Sequence, residues 1–145
     1  MENMQFSIKS IGKVKVSNEQ YWLEIDNKYL LGLRHLEHFS HIIVLWWIDK
    51  RDTSRDRNTL IVKPPRLKTP VETGVFSSRS PSRPNPIGLT VVKIIAVRNN
   101  RIYIDRIDAF DETPVIDIKP YLPGDSIPLS EIKLPDWFSH LFSIG

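Results

Sequence analysis

The side chains most able to do chemistry here stand on a proline-stiffened strip, GVFSSRSPSRPNPIGLTVV, from Gly74 to Val92. Arg79 and Arg83 suit an anion, because guanidinium grips a carboxylate or phosphate through two parallel hydrogen bonds. The alternative role for both is an ion pair with acidic neighbours. Pro81, Pro84 and Pro86 follow Ser80, Arg83 and Asn85. A residue before proline is pushed out of the helical region, and proline fixes its own φ while giving up a backbone donor. The strip is therefore extended, stiff and polar, between the apolar pairs Val75-Phe76 and Ile87-Gly88-Leu89. Rigid polar loops held between strands commonly carry binding sites.

A second cluster is Asp117-Ile118-Lys119-Pro120-Tyr121. Strand alternation puts Asp117 and Lys119 on one face, as an ion pair or as a base with a charge anchor, and Tyr121 supplies an aromatic wall. His35, His38 and His41 are spaced three apart. Steps of three drift around an α-helix and alternate faces on a strand, and no cysteine or acidic partner stands at a familiar metal spacing. No metal site is expected, and His35 and His38 read as a surface pair leading to His41 at a strand start. Trp46 and Trp47 must face opposite ways on a strand, one toward the core and the other toward an interface or a stacked base. No serine sits in a nucleophile elbow, and no dinucleotide or phosphate-loop glycine pattern is present.

The elements that must position these groups are mostly strands. The pattern predicts them over Phe6–Lys9 with Gly12–Val16, Tyr21–Ile25, His41–Ile48, Arg57–Val62, Leu89–Val97, Arg101–Ile107 and Val115–Lys119. Tyr29–Leu33 reads as a strand or a turn. Asn99-Asn100 marks a hairpin, because asparagine tolerates positive φ. One or two helical turns are expected from Pro135 to Phe142. Short, closely spaced strands without a βαβ rhythm predict a mainly β fold, a small antiparallel barrel with a short C-terminal helix. At 145 residues the chain reads as one domain, 1–145, able to bury a core unaided.

Composition narrows the chemistry further. There is no cysteine, which excludes disulfides and thiolate chemistry. No apolar run approaches the roughly 20 residues of a membrane span, and the start lacks a signal peptide's pattern, so a cytoplasmic, membrane-free protein is expected. Net charge is +3, unevenly spread: Asp49–Lys68 holds seven Lys/Arg against three Asp, and Asp105–Asp136 holds eight Asp/Glu against three Lys/Arg. The basic stretch is either a phosphate-facing segment or a solvated loop opposite the acidic half.

Taken together, four segments resemble the TsaA-like (TrmO) family. They are LEHFSHIIVLWWID, Pro64-Pro65-Arg66, GVFSSRSPSRPNPIGLTVV and DETPVIDIKPYLPGDS, in order from Leu36 to Ser126. Ser77-Ser78 replaces Ala-Thr, and Glu112 and His38 each stand where the family has glycine. The resemblance implies a small β-barrel that forms homodimers and binds S-adenosylmethionine near the dimer interface. It implies N6-methylation of threonylcarbamoyladenosine beside the anticodon of tRNA. Phe76, Arg79, Ser80, Arg83, Pro84, Asn85 and Leu89 match the cofactor-binding signature. Lys119 and Tyr121 match the second signature with Asp117, and His41 matches the F-S-H segment. The acceptor nitrogen must lose a proton, which makes Asp117 and His41 the candidate bases. Val16-Ser17-Asn18-Glu19 passes straight to Tyr21-Trp22, where many tRNA-modifying members carry a longer segment ending in P-R-Q. A methyltransferase acting on a small molecule or another non-tRNA acceptor, and a non-catalytic S-adenosylmethionine-binding dimer, therefore stay open.

Overall fold

A computed structural model describes residues 3–64 and 71–139. The chain divides into two compact units, residues 1–49 with 87–121 and residues 50–86 with 122–145. The first is a closed barrel of six strands: β1 (Gly12–Ser17), β2 (Gln20–Ile25), β3 (His41–Trp47), β6 (Ile87–Arg98), β7 (Arg101–Ile104) and β8 (Pro114–Pro120). Their order around the barrel is β1-β2-β7-β6-β3-β8, and every pairing is antiparallel. Closure leaves no free sheet edge.

Alternation builds the interior. Val14, Leu23, Ile25, Ile42, Val44, Val92, Ile102, Ile104 and Val115 point inward and are almost fully buried. Their loss would be felt: truncating a buried leucine such as Leu23 to alanine costs about 2–5 kcal/mol. Trp46 packs against this core, and its Nε1–H donates to Thr90 Oγ1 at 3.1 Å. Gly88 lies opposite Trp46, and a Cβ there would sit 2.4 Å from the ring.

The tight turns use left-handed residues. Asn18 and Glu19 join β1 to β2, and Asn99 takes φ 54 in the predicted β6–β7 hairpin. Glu112 takes φ 72, the conformation that a glycine would hold without strain. It persists with a carboxylate fastened between Lys13 and Lys15.

The second unit contains the four-residue helix α1 (Ser54–Arg57) and the two-residue strands β4 (Ile61–Val62) and β5 (Thr73–Gly74), which pair antiparallel. It ends in α2 (Asp136–Ser139), a single turn; His140, Leu141 and Phe142 lie outside the described residues. Four expected segments differ, of which Tyr29–Leu33 was read as a strand or a turn and the strand over Arg101–Ile107 stops at Ile104. Phe6–Lys9 forms none, and Phe6 and Ile8 are exposed, because among the described residues nothing covers their apolar side. Asn27–Leu33 is a 3-10 helix, started by the Asp26 carboxylate accepting from the Lys28 N–H. Arg57–Val62 keeps only Ile61 and Val62 as strand, because Thr53 caps α1 by accepting from the Asp56 N–H at 3.1 Å. Among the described residues no helix is long and apolar enough to cross a membrane.

Candidate functional site

The strip from Gly74 to Pro86 is held by side chains. Its serines form a staircase: Ser80 N–H donates to Ser78 Oγ, and Ser82 N–H donates to Ser80 Oγ, each at 3.2 Å. Prolines deny this stretch a ladder, and short hydroxyls are the local substitute. Arg83 turns back on its own loop, donating to the Ser78 and Ser80 carbonyls at 3.2 and 3.0 Å. Both bonds come from a single nitrogen, Nη1, which ties this side chain to its own loop. Arg79 is exposed, and among the described residues it has no hydrogen bond or ion pair. Phe76 is 78% exposed.

Residues of α1 and just before it fasten the strip. Ser82 is buried, donates to Asp56 Oδ1 at 2.6 Å, and accepts from Arg51 at 2.9 Å. Arg57 Nε donates to the Pro84 carbonyl at 2.8 Å, and its guanidinium reaches the Asn85 side-chain oxygen at 3.4 Å. Asp56 is held below the usual carboxylate range, first by the Ser82 hydroxyl, then by Thr53 and Arg51. Arg51, Asp56 and Arg57 were not singled out in the sequence. They sit in the basic stretch read as phosphate-facing or solvated, whereas Arg51 and Arg57 are internal fasteners. The T-S-R-D capping pattern was the available signal.

In the barrel unit, the remaining predicted residues share one outer face. Cross-strand rows run Leu89–Leu45–Asp117 and Val91–Ile43–Lys119 over β6, β3 and β8. The Asp117 and Lys119 side chains form an ion pair at 3.1 Å, and Asp117 Oδ1 also accepts from the Ile118 N–H. His41 stands at the start of β3. Its Nδ1 hydrogen-bonds Ser40 Oγ at 2.8 Å, which leaves Nε2 for another partner. Tyr121 N–H donates to the His41 carbonyl, and the two rings meet edge-on with centroids 6.5 Å apart. Beside Asp117 lies a cleft of about 410 Å³, lined by Ile25, Tyr29, Leu33, Arg34, Phe39 and Ile118 among others. Sequence reasoning missed this cleft because its wall is the 3-10 segment.

The structure thus gathers Phe76, Arg79, Ser80, Arg83, Pro84 and Asn85 on one strip, and His41, Leu89, Asp117, Lys119 and Tyr121 on one sheet face. The tRNA-methyltransferase O N-terminal domain family matches residues 11–125, a stretch that contains both groups. The chain belongs to this family. Among its relatives, an S-adenosyl-L-methionine-binding protein of Archaeoglobus fulgidus is 52% identical over 101 residues, 70% of this chain and 68% of that protein. A Mus musculus tRNA (adenine(37)-N6)-methyltransferase is 46% identical over 91 residues, 63% of this chain. The solved structure of TrmO from P. aeruginosa superposes with a TM-score of 0.69 at 25% identity, covering 93% of this chain. The chain spans 20% of the mouse enzyme and 62% of the bacterial chain. The barrel expected from the motifs is therefore the family's own architecture.

Proposed function

We propose that this chain is an S-adenosylmethionine-dependent methyltransferase acting on N6 of threonylcarbamoyladenosine, next to the anticodon of tRNA. The observation that carries this reading is the family match over residues 11–125, joined to a relative named for methylating adenine 37 of tRNA. The donor set fits the cofactor. An amino-acid carboxylate needs a cation, and Arg79 is an exposed guanidinium without a partner among the described residues. An adenine needs an aromatic or polar surface, and Phe76 and Asn85 are exposed on the same strip.

Bound S-adenosylmethionine supplies an electrophilic methyl group for in-line displacement. The chain's task is alignment and proton removal. Ser80, Arg83 and Pro84 keep the strip in shape, while Arg79, Phe76 and Asn85 make the contacts. Leu89, Lys119 and Tyr121 belong to the cofactor-binding set of this reading. His41 Nε2 is the better placed base, because Ser40 holds the ring from its other nitrogen. The carboxylate of Asp117, engaged with Lys119 and the Ile118 N–H, is the second candidate.

A homodimer completes this reading. Ile87, Leu89 and Val91 are 42–50% exposed on the β6 face that carries the site residues, and Ile43, Leu45 and Trp47 continue it on β3. A second copy laid on this apolar face would exclude water from the transfer. The reaction would take place in the cytoplasm, with its tRNA. The cleft beside Asp117 favours a second reading, a small-molecule acceptor, since its volume falls within the range of ligand pockets.

Transfer of labelled methyl to threonylcarbamoylated tRNA, compared with tRNA lacking that modification, tests the proposal. Incorporation into the modified tRNA alone is expected, falling steeply with salt as phosphate contacts are lost. Cofactor binding with no transfer to any tRNA would leave the small-molecule enzyme or the non-catalytic dimer.

A further inference from the structure

His35, Glu37 and His38 form a cluster that the methyl-transfer reading does not use. The ligand atoms of the three lie within 4.8 Å of one another, and the two imidazole rings are 5.6 Å apart. We propose that they make a surface site for a divalent transition metal, Zn²⁺ or a neighbour of similar softness.

The backbone explains the grouping. The His38 N–H donates to the His35 carbonyl at 3.1 Å, closing a single three-residue turn. His35 stands outside this 3-10 turn as its left-handed cap, and its ring lies 5.6 Å from that of His38 rather than drifting away as on an α-helix. The drift that argues against a metal at this histidine spacing is thereby removed. His35 is held at φ 72, a left-handed conformation uncommon for a residue with a Cβ. Phe39 N–H donates to the Leu36 carbonyl and fixes the far end. The Glu37 carboxylate lies 3.7 Å from His38 Nε2 and supplies the negative charge.

The ligand chemistry selects the ion. Two imidazoles and one carboxylate suit Zn²⁺, Cu²⁺ or Ni²⁺, and poorly suit Mg²⁺ or Ca²⁺, which want oxygen alone. Metal–ligand bonds of about 2.0–2.2 Å need ligand atoms closer than 4.8 Å, so capture would draw the three side chains together. All three residues are exposed, which leaves the remaining position to water. Leu33, Arg34, Leu36 and Phe39, which stand beside the ligands in the chain, line the cleft beside Asp117. A bound ion would therefore staple one wall of that cleft.

The test is calorimetric titration of Zn²⁺ into tag-free protein, with His35→Asn and His38→Gly as variants. Asparagine tolerates the left-handed backbone and glycine suits the turn, so both variants should fold. One ion per wild-type chain is expected, with at least a tenfold loss of affinity in each variant. In parallel, Co²⁺ should broaden the amide signals of Leu36 and Phe39 before others. Absence of saturable binding, or binding that both variants retain unchanged, overturns the site. So does broadening centred elsewhere.

Discussion

Between Gly74 and Pro86 the side chains hold the backbone, whereas on β3, β6 and β8 the backbone holds the side chains. The strip has three prolines and no ladder, so its carbonyls and hydroxyls are satisfied by Arg83, Arg57, Arg51 and Asp56. The sheet face has a continuous ladder and a buried core beneath it, and its outer residues keep their places through register. The two regions should fail differently. A barrel fails when packing is disturbed, and a charge-fastened strip fails when one charge or hydroxyl is removed.

The barrel gives the largest expected effect. In Gly88→Ala the new Cβ meets the Trp46 ring at 2.4 Å, with the core behind the indole. Overpacking of this kind costs about 1–3 kcal/mol. Urea unfolding should show a lower midpoint with an unchanged slope. An unaltered midpoint would mean that Trp46 can move aside, and that register alone does not fix this face.

Next comes the strip. Asp56→Ala removes the acceptor of Ser82 and a partner of Arg51 while leaving every strand of the barrel untouched. S-adenosylmethionine affinity should fall about tenfold or more, with circular dichroism unchanged. The folded-state pKa of Asp56 is depressed, so its contribution is present above the ordinary carboxylate range. It is lost as pH falls through the depressed value. Wild type and Asp56→Asn should therefore differ in stability at neutral pH and converge in acid. Equal behaviour at all pH would show that the strip stands without its fasteners.

The two arginines sharpen the contrast within the strip. Arg79→Ala should weaken cofactor binding by about tenfold without altering amide exchange, as expected for one charge-assisted contact. Arg83→Ala removes the single Nη1 donor that serves both the Ser78 and Ser80 carbonyls. It should speed amide exchange over residues 78–83, with a smaller fall in affinity. Equal exchange profiles for the two variants would erase the division of labour.

The barrel was legible because alternation repeats over several strands and each repeat agrees with the next. The strand at His41–Trp47 shows instead as a continuous apolar run, and the hairpin shows through Asn99-Asn100, whose side chains tolerate positive φ. Phe6–Lys9 carries the same local alternation but pairs with no strand among the described residues, which no local pattern reveals. The 3-10 segments at Asn27–Leu33 and Leu36–His38 were illegible for a related reason: a period of three matches neither template against which apolar spacing is read. The strip's stiffness was legible from its prolines. The inward turn of Arg83 was not, because a guanidinium that binds its own loop and one that binds a ligand look alike in sequence.

Glu112 gives the smallest expected effect and the finest discrimination, since it puts a charge fastener inside the barrel unit. Its left-handed backbone is unfavourable, and its carboxylate is held by Lys15 and Lys13. Glu112→Gly relieves the first and forfeits the second, so the melting temperature at neutral pH should move by less than about 4 °C. The sign should depend on pH. Glu112 is depressed, chiefly by its hydrogen bond from Lys15, so its contribution is present above the ordinary carboxylate range and vanishes as pH falls through the lowered value. Lys15 is raised by the same bond, so its contribution is present below the ordinary lysine value and is lost as pH climbs through the raised one. Between those limits the ion pairs offset the backbone strain; in acid only the strain remains, and the glycine variant should become the more stable chain. Thermal melts of both proteins across the acid range read this reversal directly. A constant difference would show that the lysines contribute nothing to the turn, and that in the barrel, unlike the strip, charges merely decorate a fold the backbone has already fixed.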